Sequence, residues 1–149
     1  MNRSCPTCPD AQSVGDVVYG AGMLIALADP WNAAARLRHA EYCLMGKPVV
    51  PAPGVAQAWR GGARTALLAR ALKDCAVVCC YTEQDWRRVG ELIGRAALNP
   101  MKRPDPVDGL VALTAMDIDA ALIATSHPDD IQAYLDQLPG SAAITVQGI

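Results

Sequence analysis

The segment 16–29, DVVYGAGMLIALAD, joins a short apolar run to a turn of small residues and an apolar helix start. Val17, Val18 and Tyr19 are typical of a buried strand, and the run that follows the glycines predicts a helix. A parallel α/β sheet commonly places functional residues where a strand ends and a helix begins. The residue at that point is Gly20, which could cradle a phosphate, serve the turn alone, or mark a lost acidic side chain.

Outward from this segment, apolar runs alternate with stretches of helical periodicity. The predicted strands after the first are 47–52, 76–81, 120–126 and 142–149. The predicted helices after the first are 30–46, 53–62, 63–75, 82–98, 105–117 and 127–138. This alternation is typical of right-handed βαβ units, so we expect an α/β fold with three layers, α/β/α, around a short parallel sheet. Functional side chains then meet at the carboxyl ends of the strands.

Composition favours one globular domain. The chain has 149 residues, of which 52% are hydrophobic and 19% charged, and we expect a flexible tail over 1–15 and a domain over 16–149. No apolar run reaches the roughly 18 residues that span a membrane, and the first residues do not resemble a signal peptide. We therefore predict a cytoplasmic protein with no membrane contact and with free thiols. The net charge of −2 leaves nucleic-acid binding to a local basic patch.

Two short motifs near the start give little support for a cofactor. Cys5 and Cys8 have the spacing of half a zinc site or of a redox pair, but no second CxxC exists, which favours an inert tail. The run 19–27 has a GxG pattern without the third glycine of a dinucleotide-binding loop, and no acid ends the second strand to hold a ribose. Nucleotide binding is therefore a distant alternative.

Four segments, taken together in order and spacing, resemble the PIN-domain family, the nuclease fold of VapC-type toxins. They are VVYGAGMLIALAD at 17–29, VVPAPGVAQAWRGG at 49–62, DPVDGLVALTAMDIDAALIATS at 105–126, and ATSHPDDIQAYL at 124–135. The resemblance implies a PIN-like domain and an Mg²⁺- or Mn²⁺-dependent endoribonuclease, the toxin of a toxin–antitoxin pair. It also implies three partners: RNA, an antitoxin-like protein and a second copy in a homodimer.

Carried over position by position, the resemblance leaves an incomplete acidic site. The acids that open a family helix match Asp105 and Asp108, whereas the acid of the preceding xWR helix falls on Gln57. The acid after the fourth strand falls on His127, and the acid that ends the first strand falls on Gly20. The implied catalytic residues are Asp108, Asp105 and Gln57, and the implied metal ligands are Asp108, Asp105 and His127. Because Mg²⁺ prefers oxygen ligands and imidazole suits Mn²⁺ or Zn²⁺, we expect weak metal binding and weakened or lost cleavage.

Simpler interpretations remain open for several of these residues. Asp108 lies just after Pro106 and could be an acid of a helix start. His127 could be a turn residue, and we interpret Asp129 and Asp130 as acids that favour a helix N-terminus. His39 is expected in packing or on the surface, and Trp31, Trp59 and Trp86 in the core or at an interface.

Basic residues near the expected site are candidates for RNA contact. Lys102 and Arg103 lie in the loop before the helix that carries Asp108, and Arg60 follows the helix that carries Gln57. Their cationic side chains could contact phosphates, although a solvated surface is about equally consistent. A non-catalytic PIN-like protein that binds RNA or an antitoxin-like partner is therefore the alternative function.

Overall fold

The computed structural model describes residues 14–149 and contains one five-stranded sheet with helices on both faces. Its strands are β1 (Val14–Tyr19), β2 (Lys47–Pro51), β3 (Ala76–Val78), β4 (Leu122–Thr125) and β5 (Thr145–Gly148). Its helices are α1 (Ala21–Ala28), α2 (Ala33–Cys43), α3 (Ala52–Ala58), α4 (Ala63–Leu72), α5 (Glu83–Arg95), α6 (Pro106–Asp117) and α7 (Pro128–Leu135). A short 3₁₀ helix at Ser141–Ala143 precedes β5.

All strands of the sheet run parallel, in the order β3-β2-β1-β4-β5. The expected α/β fold with three layers is therefore confirmed. β1 is central, and the chain changes direction across the sheet between β3 and β4. Segments that follow β1, β2 and β4 consequently meet at one edge, which we call the carboxyl edge.

The sheet buries a separate apolar core on each face, because successive side chains of a strand point to opposite sides. Val18 and Val49 pack with α5, α6 and α7, whose buried side chains include Leu92, Leu110, Ile131 and Leu135. Val17 and Val50 pack on the other side with α1, α2, α3 and α4. Both faces of the central strands are therefore apolar, as expected of a covered parallel sheet.

Helix α2 differs most from its predicted form. It is shorter than the expected 30–46, since the Asn32 side chain caps its first turn by accepting a hydrogen bond from the Ala35 amide at 2.9 Å. The helix buries Ala35, His39 and Tyr42. The apolar recurrence that predicts a helix here, from residue 31 to residue 44, lies mainly on the opposite, solvent-facing side.

Smaller differences concern element ends. β1 begins at Val14, two residues before the predicted domain start; the predicted tail otherwise lies outside the described residues, as do Cys5 and Cys8 of the CxxC motif. β3 ends at Val78, so Cys79 follows the strand and is exposed. Cys43 and Cys75 are free thiols, but Cys80 is disulfide-bonded, and the expectation of free thiols is wrong at that position.

Further features of the helices concern a cap and the positions of His39 and the tryptophans. Thr82 is the N-cap of α5, and it forms a reciprocal capping box with Asp85, which satisfies two backbone amides at the helix start. His39 is buried in packing, whereas Trp31, Trp59 and Trp86 are exposed rather than in the core. Within residues 14–149, no helix has the length and apolar character needed to cross a membrane.

Candidate functional site at the carboxyl edge

Polar residues from three separate parts of the chain meet at the carboxyl edge. Gln57 lies on α3 just after β2, Asp105 and Asp108 lie at the start of α6, and His127 follows β4. Two hydrogen bonds link these segments: Gln57 to Asp105 and His127 to Asp108. The structure thus brings together four residues that are up to 70 positions apart in the chain.

Asp105 is held from two sides. One carboxylate oxygen accepts a hydrogen bond from the Gln57 side-chain amide, with Nε2 3.0 Å from Oδ2. The other caps α6 by accepting from the Val107 amide at 2.8 Å. An Asp at an N-cap satisfies a backbone donor and also interacts favourably with the helix dipole. Asp105 therefore orders the start of α6, and both of its oxygens have partners in this structure.

Asp108 is the most buried acid at the carboxyl edge, with 4% of its surface exposed. Its Oδ2 lies 3.1 Å from Nδ1 of His127, whose side chain is half exposed. Burial raises the pKa of Asp108, while the hydrogen bond and the charge of His127 lower it and the carboxylates of Asp105 and Asp130 raise it. Because desolvation penalises the ionised form, the carboxylate is stabilised here only in part by the neighbouring imidazole.

Asp130, in the first turn of α7, completes a group that could hold a cation. Asp108, His127 and Asp130 each offer a ligand atom, and these three atoms lie within 4.8 Å of one another. Asp130 also forms an ion pair with Lys102, whose Nζ lies 3.1 Å from Oδ2. A metal at this position would therefore compete with an ammonium group of the chain itself.

Gly20 lies beside the same group, at the end of β1 and the start of α1. Its backbone is extended, and a Cβ added there would meet Oγ1 of Thr125 at 3.1 Å and its Cβ at 3.3 Å. Thr125 Oγ1 in turn accepts a hydrogen bond from the His127 amide at 3.0 Å. A side chain at position 20 would thus point toward the turn that carries His127, and it would crowd Thr125.

Tyr134 is a residue of this site that the sequence interpretation missed. Its hydroxyl is fully buried and makes no hydrogen bond of normal geometry with any described residue, although the Asp105 backbone is close enough to lower its pKa slightly. Burial, followed by the charges of Asp108, Asp130 and Asp105, raises the pKa to about 12. The hydroxyl therefore lies within electrostatic reach of all three carboxylates. A spacing of four residues on α7 puts Asp130 and Tyr134 on one helix face, and this spacing was the available clue.

The predicted RNA contacts have different surroundings. Lys102 reaches the carboxyl edge through Asp130, and Arg103 is exposed in the same loop. Arg60 instead turns back on its own helix, where one guanidinium nitrogen donates to the Ala56 and Trp59 carbonyls at 3.0 Å each. Of the three, Arg103 is the one that makes no hydrogen bond or ion pair with a described residue, so its cation is open to a phosphate.

No known protein family model, no curated protein and no solved structure matches the chain.

Proposed function

We propose that this chain is a PIN-like domain of the VapC type, a metal-dependent endoribonuclease whose acidic site is depleted and whose activity is weak or lost. The observation that supports the proposal best is the convergence of Gln57, Asp105, Asp108 and His127 at the carboxyl edge. The family resemblance assigns these four positions to one site from the sequence alone. The same resemblance carries the proposed partners, which are RNA, an antitoxin-like protein and a second copy. The proposed cytoplasmic location rests instead on the sequence, whose first residues do not resemble a signal peptide.

The donor set is a better fit to Mn²⁺ than to Mg²⁺. Asp108 and Asp130 would supply carboxylate oxygens, and His127 an imidazole nitrogen. Mg²⁺ requires near-octahedral oxygen coordination, whereas imidazole is a common ligand of Mn²⁺ and Zn²⁺. When bound, such an ion supplies activated water and charge stabilisation for phosphodiester cleavage.

Each residue of the candidate site has a distinct role in this proposal. Gln57 holds the carboxylate of Asp105 and so fixes the start of α6. Asp108 presents its carboxylate next to His127. Lys102 and Arg103, on the loop before α6, provide cations for the phosphate backbone of RNA.

A second candidate function is binding without catalysis. It is favoured by the fact that each of the three carboxylates already has a donor from the chain: Gln57 on Asp105, His127 on Asp108, and Lys102 on Asp130. Carboxylates that converge on a catalytic metal repel one another in its absence. Here the internal donors reduce that repulsion, so each carboxylate has a partner without a metal ion.

RNA cleavage distinguishes the two candidates. We would compare the chain as it is with His127→Asp and with the double variant Gly20→Asp, His127→Asp, each with Mg²⁺ and with Mn²⁺ on single-stranded RNA. We expect little or no cleavage by the parent and a gain in the double variant, since it regains two carboxylates. Thermal unfolding of each variant checks that Gly20→Asp, which crowds Thr125, still folds.

Asp108→Asn in each background is the matched control. It removes one charge with little change of shape, so any cleavage that belongs to this site must fall with it. Cleavage that survives Asp108→Asn would come from elsewhere or from a contaminant. A folded double variant that cuts no RNA, but still binds it, would contradict the nuclease assignment and favour the binding protein.

A further inference from the structure

We propose that the outer face of α2 is the contact surface between two copies of this chain. The residues that the structure describes expose nine large hydrophobic side chains, and four of them lie on this helix or within two residues of its ends. These four are Trp31, Leu37, Leu44 and Met45. Trp31 and Leu44 are each 89% exposed and Leu37 64%, which is far more apolar exposure than isolated surface positions need.

The exposed residues form a regular stripe. Ala33, Leu37, Ala40 and Leu44 follow one another at spacings of four, three and four, and all four are exposed. Their side chains point away from Ala35, His39 and Tyr42, which α2 buries against the sheet and α1. A spacing that alternates between three and four is the pattern of the apolar seam between two packed helices. We call these four residues the outer stripe.

The outer stripe fits a second copy better than an unrelated partner, because its flanks are self-complementary. Arg36 lies on one side of the stripe and Glu41 on the other, five residues later. When two identical helices run parallel about a two-fold axis, these positions of opposite copies face each other. Two equivalent Arg36–Glu41 pairs would then form, whereas a purely acidic or purely basic partner would match only one flank.

Both flanking charges are available for this contact. Glu41 is exposed, and no described residue forms an ion pair with it. Arg36 uses NH1 to donate to the Asp29 carbonyl at 3.1 Å, which leaves its other nitrogens for a partner. Alanine at alternate positions of the stripe also lets two helices approach closely. The contact uses none of the residues of the candidate site, so this inference does not depend on the proposed nuclease function.

Light scattering coupled to size-exclusion chromatography tests the surface on the full chain. We expect a dimer at ~100 μM, where an association with a micromolar Kd is nearly complete. Leu37→Glu places a charge in the outer stripe and should give a monomer. Met101→Glu is the matched control, because Met101 is 91% exposed but lies far from α2 in the chain, and this variant should remain a dimer.

Charge exchange tests the orientation of the pair. Glu41→Arg should raise the Kd of the dimer by roughly three- to tenfold, since two exposed ion pairs become repulsive. The double variant Arg36→Glu, Glu41→Arg restores both pairs in exchanged form and should recover the parent Kd. A monomeric parent, or a Leu37→Glu variant that still dimerises, would overturn the proposal. A double variant that dimerises no better than Glu41→Arg would overturn the parallel arrangement.

Discussion

Asp108 combines a buried carboxylate with a neighbouring imidazole, and burial has the larger effect on its pKa, which is raised. The folded chain therefore binds the proton more tightly than the unfolded chain does. Stability falls as the pH rises from the unfolded pKa to the folded pKa, and it stays lower above that window. Ionised Asp108 thus lowers the stability of the fold at neutral pH, as residues kept for binding or catalysis often do.

Asp108→Asn should therefore stabilise the protein at neutral pH by roughly 0.5–2 kcal/mol. The gain should disappear near about pH 3, where the unfolded carboxyl is protonated as well. Urea unfolding of parent and variant across this range measures the difference, and Asp16→Asn is a control because the Asp16 side chain is exposed. A variant that is less stable than the parent at neutral pH would mean that the contact with His127 outweighs burial.

Two buried tyrosines differ in whether their hydroxyl has a partner. Tyr19 Oη is hydrogen-bonded to His39 Nδ1 at 2.9 Å, whereas Tyr134 Oη makes no such bond with a described residue. Tyr19→Phe should destabilise the fold by about 1–2 kcal/mol, because it also leaves His39 with one partner fewer. Tyr134→Phe should be neutral or stabilising by up to ~1 kcal/mol. Equal losses in urea unfolding would show that Tyr134 is hydrogen-bonded in solution, for instance to water.

The sequence predicted which residues meet at the carboxyl edge better than it predicted the contacts that they form there. Gln57, Asp105, Asp108 and His127 do come together, because their places after strands and at a helix start follow from the order of elements. The ion pair between Lys102 and Asp130 could not be predicted in the same way. It joins a loop to a helix 28 residues away, and its distance depends on how both pack.

Helices α1 and α5 contain glycines in contrasting surroundings. A Cβ on Gly22 of α1 would collide with the Ser126 side chain and lie 2.9 Å from the Ser126 backbone nitrogen. This close approach lets α1 begin directly beside the turn after β4. Gly90 of α5 is exposed, and nothing lies within 4 Å of a Cβ placed there. The same residue type thus has a packing role in one helix and none in the other.

Replacing each glycine by alanine should consequently have opposite effects. Gly22→Ala should destabilise the protein by about 1–3 kcal/mol through overpacking. Gly90→Ala should stabilise it by up to about 1 kcal/mol, because alanine is the better helix former. Thermal unfolding of both variants tests the pair, and a stable Gly22→Ala variant would mean that the turn at Ser126 moves easily.

Element type was predictable, but the buried face of α2 was not. Apolar residues recur on two sides of this helix, and the stronger recurrence, which includes Leu37 and Leu44, faces solvent. The buried side contains His39, whose imidazole becomes acceptable there only because Tyr19 and Asp74 lie beside it. Periodicity measures how apolar residues are spaced, and it does not distinguish a core from a surface that another molecule covers.

The whole molecule should fold without a metal ion, since its site carboxylates have internal donors. We expect no change in Tm on adding a chelator. If Mn²⁺ binds with a Kd of ~1 mM, ~5 mM would stabilise the fold by ~1 kcal/mol, or about 3 °C in Tm. Mg²⁺ should give a smaller shift, because the group includes His127.

Neighbouring acids provide the control for this metal effect. Asp130→Asn should abolish the Mn²⁺ shift, because Asp130 belongs to the group that could hold a cation. Asp129→Asn changes the adjacent exposed acid in the same helix turn and should leave the shift intact. If the Tm of the parent is the same with and without Mn²⁺, the metal-dependent part of the proposed function is wrong.

The global arrangement followed closely from the sequence, because alternating strands and helices permit few alternatives to a covered parallel sheet. The apolar character of both faces of β1 and β2 agrees with this arrangement. What the alternation leaves open is the exact length of each strand. β3 has only three residues, although the apolar run that predicts it continues to residue 81.

The limited space between Gly20 and Thr125 affects how easily an acidic side chain could return to position 20. Under the proposed ancestry, an aspartate at position 20 would once have shared this space with residue 125. Restoring it now gains a few tenths of a kcal/mol as an N-cap, but it also requires Thr125 to shift away from a Cβ at 3.1 Å. The two positions are therefore coupled. Under the same proposal, the loss of the acid would be an epistatic step, and a single reversal at position 20 would restore less than was lost.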